Sequence, residues 1–222
     1  MRSATLRVLV LDFDGVILES NAIKTEAFRD VFARFPEHIE TMMAFHRANV
    51  SASRFVKFDH LLRECLGRPG DTGLRDELAA TFSRRTLERL ATCPLVPGAA
   101  EFLKEFSATA PLYLASVTPA EDLEATLARR DLRHWFCDVY ACPPWTKPDA
   151  VRDVLQRERC PQSAAALIGD SPGDRQAAEE VGVEFIARDG GIPFDPPEAT
   201  VYPDLAAVAT ALRRRMLEGV RR

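Results

Sequence analysis

The chain has 222 residues, 46% hydrophobic and 28% charged, with 29 Lys and Arg against 33 Asp and Glu. That length and apolar content suit one large or two unequal globular units, and exclude collagenous, disordered and disulfide-scaffold classes. A formal charge of -4 offers no basic field for sequence-independent phosphate-backbone binding, which argues against nucleic acid and leaves small molecules as partners.

Residues 7–11 form a continuous run without polar alternation, the pattern of a strand buried on both faces of a parallel sheet. Asp12 and Asp14 break that run far short of a signal-peptide core or the roughly 20 residues of a membrane span, so no membrane partner and a cytoplasmic location are expected. From about Ser20 to Cys93 the apolar spacing turns helical. Phe28, Val31, Phe32 and Phe35 share a face, as do Ile39, Met42, Met43 and His46, and Phe55, Phe58, Leu62 and Cys65. Pro36, the break at 49–51 and the Gly-Pro cluster at 67–70 divide this stretch into about four helices, read as an inserted bundle. After Pro97 and Gly98 come a helix marked by Phe102, Leu103 and Phe106, then strands at 111–115, 138–141, 164–168 and 183–187 with helices between them. Short apolar strands alternating with helices predict an α/β parallel sheet with right-handed crossovers. Residues 1–18 and 94–222 are assigned to the sheet domain, and 19–93 to a helical cap. A last helix buries Leu205, Val208, Ala209 and Leu212, and Arg213 to Arg215, Arg221 and Arg222 decorate its solvated face. Cys65, Cys93, Cys137, Cys142 and Cys160 are odd in number and lack Cys-x-x-Cys spacing, which predicts reduced thiols.

In open α/β sheets, ligands bind beyond the carboxyl ends of the strands. The polar residues expected there are Asp12 and Asp14 after the first strand, Ser116 after the second, and Asp170 with Asp174 after the run ending at Ile168. Lys147 opens a helix, with Pro148 suited to its first turn. One Asp at a strand end reads equally well as a helix N-cap, but six such groups from four segments do not. Four acids against one lysine call for a cation, and all-oxygen donors with room for phosphate and water favour Mg²⁺. Asp12 and Asp14 leave the strand pointing differently, with Gly15 permitting a tight turn, so one can attack while the other transfers protons. An ionised Asp beside a metal and a lysine can accept a phosphoryl group. Ser116 and main-chain N–H groups near Gly15 and Val117 would hold its oxygens, and Lys147 would offset charge.

The run from Asp12 to Ser20, the strand ending at Ser116, Lys147-Pro148 and the run from Gly169 to Asp174 resemble, in order, the four motifs of the haloacid dehalogenase superfamily. The likeness covers nearly the whole chain and extends to its phosphoglycolate phosphatase and β-phosphoglucomutase branch. It implies a Rossmann-like core with a mobile helical cap. It further implies Asp12 as nucleophile, Asp14 as general acid/base, Ser116 as phosphate hydroxyl and Lys147 as the balancing cation. Metal ligation would fall to Asp12, the Asp14 carbonyl and Asp170, with Asp174 in support. An acid at position 14 departs from the members that break carbon–halogen bonds, so a phosphatase is expected. Glu19 stands where Asp is commoner.

Substrate choice is expected in the cap. Arg54 resembles the cap arginine of β-phosphoglucomutase, Lys57 lies one turn on, and Arg47 and Asn49 approach from the adjacent break; the competing reading of all four is solvated helix surface. His38, His60 and His134 lack ligand spacing and read as packing or surface residues. The expected function is a Mg²⁺-dependent phosphatase for a small phosphorylated metabolite, a sugar phosphate or phosphoglycolate-like acid. A phosphomutase is the enzymatic alternative, and a receiver-like or non-catalytic phospho-binding module the remote one. Monomer and dimer both stay open.

Overall fold

The structure, a computed structural model, describes residues 6–220. Six parallel strands form one sheet in the order β3-β2-β1-β4-β5-β6: β1 Val8–Leu11, β2 Leu112–Ser116, β3 Asp138–Ala141, β4 Ala165–Gly169, β5 Glu184–Arg188 and β6 Val201–Tyr202. β1 is central, pairing Leu11 with Leu114 of β2 on one side and with Ile168 of β4 on the other. Strands β1, β2 and β4 are buried throughout, which is why they read as unbroken apolar runs.

Nine α-helices are present among the described residues. Five lie between β1 and β2, and the first four are α1 Asn21–Phe32, α2 Ile39–Ala48, α3 Arg54–His60 and α4 Thr72–Leu90. The chain continues from α3 into one π-helical turn at Leu61–Cys65. After these come α5 Ala99–Phe106, α6 Ala120–Arg129, α7 Lys147–Arg157, α8 Pro172–Val181 and α9 Leu205–Val220. The fold is thus a Rossmann-like parallel sheet carrying an inserted all-helical cap. Arg221 and Arg222 lie outside the described residues, while Arg213 and Arg215 pair with Glu105 and Glu184.

Alternation along each strand separates the two faces of the sheet. Leu9, Leu11, Leu112 and Leu114 pack with Phe102, Leu103, Leu123 and Leu205 of α5, α6 and α9. Val8, Val10, Tyr113 and Leu167 face Val151, Val154, Ala177 and Val181 of α7 and α8. The cap has its own core, in which Phe28, Phe32, Phe58 and Phe82 cluster with Met42 and Met43. His60 stacks on Phe45, and the His134 ring lies tilted against Trp135. All five cysteines are free thiols. No helix among the described residues is long and apolar enough to cross a membrane.

Candidate active site

Because β1 lies between β2 and β4, the residues that follow these three strands emerge side by side at one sheet edge. Asp12 continues the ladder, donating its N–H to the Ile168 carbonyl (2.9 Å). Its Oδ1 accepts from the Phe13 N–H (2.7 Å), and its Oδ2 lies 2.8 Å from Lys147 Nζ. Lys147 is held in place as the first residue of α7, whose N-cap Thr146 accepts from the Asp149 N–H (3.2 Å). The same ammonium donates to Asp174, which is fully buried in α8. Asp174 Oδ2 accepts from the Ser171 N–H (3.1 Å) and hydroxyl (2.6 Å), closing a capping box that fixes the start of α8. Gly15 has φ +70°, and a side chain there would overlap the Asp170 carboxylate. That residue must stay small for the Asp12–Asp14 turn to lie against β4.

Carboxylate oxygens of Asp12, Asp170 and Asp174 lie within 4.8 Å of one another. Burial pushes the Asp12 carboxyl well above the ordinary carboxylate range despite the pull of Lys147, and the neighbouring Asp174 and Asp14 charges add to the rise. Asp170 is pushed the same way by burial and then by Asp12 and Asp174. One lysine therefore leaves the cluster short of positive charge, and its all-oxygen donor set fits a hard divalent cation. Asp174 spends its oxygens on Lys147 and Ser171, and Asp12 spends its own on the Phe13 N–H and Lys147, which leaves Asp170 as the one of the three with an oxygen unpartnered among the described residues. Asp170 does accept from Asn21 Nδ2 (2.5 Å).

That charge deficit leads to a thermal prediction. Groups whose pKa is raised by folding stabilise the protein fully below the unfolded value, and this contribution is lost as pH rises through the folded value. Mg²⁺ bound at this cluster would displace protons from Asp12 and Asp170, so its stabilisation should grow as pH rises above the ordinary carboxylate range. At about pH 8 and about a hundredfold excess over Kd, Tm should rise by about 5–10 °C. Asp170→Asn should abolish this shift and raise Tm in EDTA by about 2–4 °C, because one buried charge has been removed. Differential scanning fluorimetry reads both, and an unchanged Mg²⁺ response in Asp170→Asn would refute the ligand assignment.

Asp14 occupies a different environment. Its Oδ1 accepts from the Ser20 hydroxyl (2.6 Å), and its Oδ2 from Lys24 and from the Thr118 hydroxyl (3.1 Å). Burial alone would raise its pKa, but Lys24, Ser20 and Thr118 together hold it below the ordinary value. Two carboxylates two residues apart are thus driven in opposite directions, the pattern of groups with separate acid–base tasks.

A cavity of about 580 Å³ separates these acids from the cap. Its core side includes Asp12, Asp14, Lys147 and Asp170, together with Val117 and Thr118, and its cap side includes Arg47, Arg54 and Lys57. Ser116 is buried at the end of β2, where its Oγ accepts from the Thr118 N–H (3.2 Å). Gly15, Ser116 and Asn49 do not line the cavity. Asn49 instead donates to the Phe45 carbonyl (2.9 Å), finishing α2. Arg54, read from sequence as a substrate-facing cation, is occupied by protein. Its Nη1 donates to Asp122 of α6 (2.5 Å) and Ser83 (2.6 Å), and its guanidinium lies over the Phe82 ring. Ser51 also ties cap to core, accepting from the Gly173 N–H (3.1 Å) and donating to Ser171 Oγ (3.1 Å).

Sequence reading missed Asn21, Lys24, Thr118, Asp122 and Arg188. Asn21 and Lys24 are one turn apart on α1, directly after the Asp12–Ser20 run, and that spacing was the available signal. Arg188 donates to the Gly15 carbonyl (2.8 Å) and to Glu19. Glu at position 19 has the reach to meet this arginine, which ties the Asp12–Asp14 turn to β5.

A haloacid dehalogenase-like hydrolase profile matches residues 9–188, from β1 through the end of β5. The chain belongs to this family. It is 25% identical over 194 residues to a phosphoglycolate phosphatase of Synechococcus elongatus, covering 82% of this chain and 83% of that one. A hydrolase from Pseudomonas syringae superposes with a TM-score of 0.76 at 16% identity, over 94% of this chain and 98% of the other. The haloacid dehalogenase-type hydrolase YfnB of Bacillus subtilis, solved bound to magnesium, superposes with a TM-score of 0.64 at 20% identity, over 95% and 100% of the two chains. At these identities the two superpositions bear on fold alone. The alternation of sheet and cap on which they agree is that of haloacid dehalogenase-like hydrolases.

Proposed function

We propose that this chain is a Mg²⁺-dependent phosphatase that hydrolyses a small phosphate monoester through an aspartyl phosphate on Asp12. The observation that carries this reading is the Asp12 carboxylate, aligned by the Phe13 N–H and Lys147 beside Asp170, opening onto a cavity covered by the cap. The phosphoglycolate phosphatase relative supports the same reaction class. In this reading residues 1–18 and 94–222 form the catalytic unit, and 19–93 a cap that limits water at the reacting centre. Mg²⁺ would be held by Asp12, Asp170 and the Asp14 carbonyl with Asp174 behind them, and would supply charge neutralisation to the phosphoryl oxygens.

Asp12 attacks phosphorus, and the bond from phosphorus to the leaving oxygen breaks. Asp14, carrying a proton, gives it to that oxygen. Water then attacks the aspartyl phosphate while Asp14, now a carboxylate, takes its proton, and inorganic phosphate leaves. Lys147 stays cationic because Asp12 and Asp174 hold its pKa above the ordinary lysine value despite burial, so it offsets charge throughout. The main chain at Val117, which lines the cavity, is assigned to the phosphoryl oxygens with Ser116 directly behind it, while the Gly15 N–H is spent on the Leu18 carbonyl (2.8 Å). Thr118, Ser20 and Lys24 favour the ionised form of Asp14, which suits the second step. The Lys24 contact must loosen for the first, in which Asp14 carries a proton.

Phosphate release from a panel of phosphorylated metabolites, with Mg²⁺ and with EDTA, tests the proposal. Release that requires Mg²⁺ supports it, and no release from any ester overturns it. Lys24→Met should raise the Asp14 pKa and move the Asp14-dependent limb of the pH–rate profile to higher pH. An unmoved limb would remove Lys24 from the acid–base machinery.

A further inference from the structure

The first turn of α1 opens the cap in sequence, yet its side chains reach the carboxylates of the sheet domain. Ser20, just before the helix, donates to Asp14 Oδ1, and Lys24 donates to Asp14 Oδ2. Asn21, between them, turns to the other acid. Its Nδ2 donates to Asp170 Oδ2 (2.5 Å) and to the Gly190 carbonyl (3.0 Å). Both partners are acceptors, so the amide must present its NH₂ edge, and the two hydrogens of that edge are both used. Neither bond serves α1 itself, since the partners lie 149 and 169 residues away.

The space around Asp170 Oδ2 is closely drawn. A side chain at Gly15 or at Gly190 would overlap this oxygen, so two glycines from separate loops clear a slot for it. The Gly15 wall is fixed, because its N–H donates to the Leu18 carbonyl (2.8 Å) and its carbonyl accepts from Arg188 (2.8 Å). Gly15 and Gly190 belong to the sheet domain, whereas Asn21, which supplies the one side-chain donor to Oδ2 among the described residues, belongs to the cap. With Oδ2 committed in this way, Oδ1 is the oxygen that Asp170 can offer to a cation. Asn21, Asp170 and Gly190 all line the cavity.

We propose that Asn21 is a positioning residue that holds the Asp170 carboxylate with Oδ1 presented to Mg²⁺, and that it thereby couples Mg²⁺ affinity to the seating of the cap. This rests on the Mg²⁺ assignment made above. Hydrogen-bond partners of a ligating carboxylate set its orientation, and a coupling between two events acts equally in both directions. A seated α1 therefore favours Mg²⁺, and an occupied site favours a seated α1. An Asn21 that only tied α1 to the Gly190 carbonyl would add stability and leave the affinity for the cation unchanged.

Calorimetric titration of the full chain with Mg²⁺ alone, and amide hydrogen exchange of residues 21–28 with and without Mg²⁺, test the proposal. Asn21→Leu keeps the bulk and Asn21→Ala introduces none, and both remove the two donors. Each should raise the Kd for Mg²⁺ by about 10–100-fold, the usual cost of removing the partner of a metal ligand. In wild type, Mg²⁺ should slow exchange in the first turn of α1 by about fivefold or more, and this protection should be lost in the variants even at saturating Mg²⁺. An unchanged Kd in either folded variant overturns the role of Asn21 while leaving the Mg²⁺ assignment intact. Wild type that binds Mg²⁺ without protecting α1 overturns the coupling, and needs no variant to show it. Wild type that binds no Mg²⁺ overturns the assignment and the proposal together.

Discussion

Replacing Asp12 by Asn is expected to lower turnover by about 10⁴-fold or more, as removal of a covalent nucleophile generally does. A carboxamide has nearly the same shape but neither the charge nor the nucleophilicity of a carboxylate. It also cannot reproduce the hydrogen bonds of Asp12, whose two oxygens both accept, one from the Phe13 N–H and the other from Lys147. One side of the amide is a donor and must face one of those donors. The loss should therefore fall on kcat, with the folded state retained in circular dichroism. Phosphate release in Mg²⁺ gives the rate, and hydroxylamine trapping of the acyl phosphate, seen in wild type and absent in the variant, identifies the residue. Turnover within tenfold of wild type would remove Asp12 as nucleophile and return the site to a binding role.

The parts of this protein that were legible in the sequence are those whose physical cause is local. β1, β2 and β4 are buried on both faces, so their residues had no reason to alternate, and the apolar runs ending at Leu11, at Ala115 and at Ile168 could be read directly. The cap helices were readable because Phe28, Val31 and Phe32, or Met42, Met43 and His46, must share one face to bury a bundle core. β6 was missed because two residues, one of them 40% exposed, carry no periodicity. The π-helical turn at Leu61–Cys65 was missed because its hydrophobic residues differ little from a continued α3.

Partnerships were the least legible feature. Arg54 and Asp122 are 68 residues apart, and Arg188 reaches Gly15 across 173. Each looks like an ordinary charged residue on its own helix or strand. Sequence fixed the sign of Arg54 but could not say whether that charge was already spent. It is spent on Asp122, while Lys57, one turn later, donates to the Val50 carbonyl and meets no carboxylate among the described residues. The two cations are alike in the sequence and differ only in what the rest of the fold brings to them.

Lys147→Met should be strongly destabilising, because it keeps the side-chain volume and removes a cation shared by two buried acids. Asp174 would retain Ser171, but Asp12 and Asp174 would lose their common ammonium. Breaking a buried pair from one side costs about 3–5 kcal/mol, since the remaining charge stays in a poorly solvated site. The sign of the pH dependence follows from the carboxylates. With Lys147 gone the folded pKa of Asp12, already raised by burial, rises further while its unfolded value does not, so stability present at low pH is lost as pH rises. Urea melts in EDTA should show the variant nearest to wild type at about pH 5 and furthest from it at about pH 8. Adding Asp12→Asn should recover part of the deficit, because one uncompensated charge is removed, and the double-mutant cycle isolates that coupling. Mg²⁺ should recover part of it in Lys147→Met alone, since a divalent cation beside Asp12 answers the same charge. A deficit below about 1 kcal/mol at the higher pH, or one that shrinks as pH rises, would mean that Lys147 does not hold the aspartate cluster together.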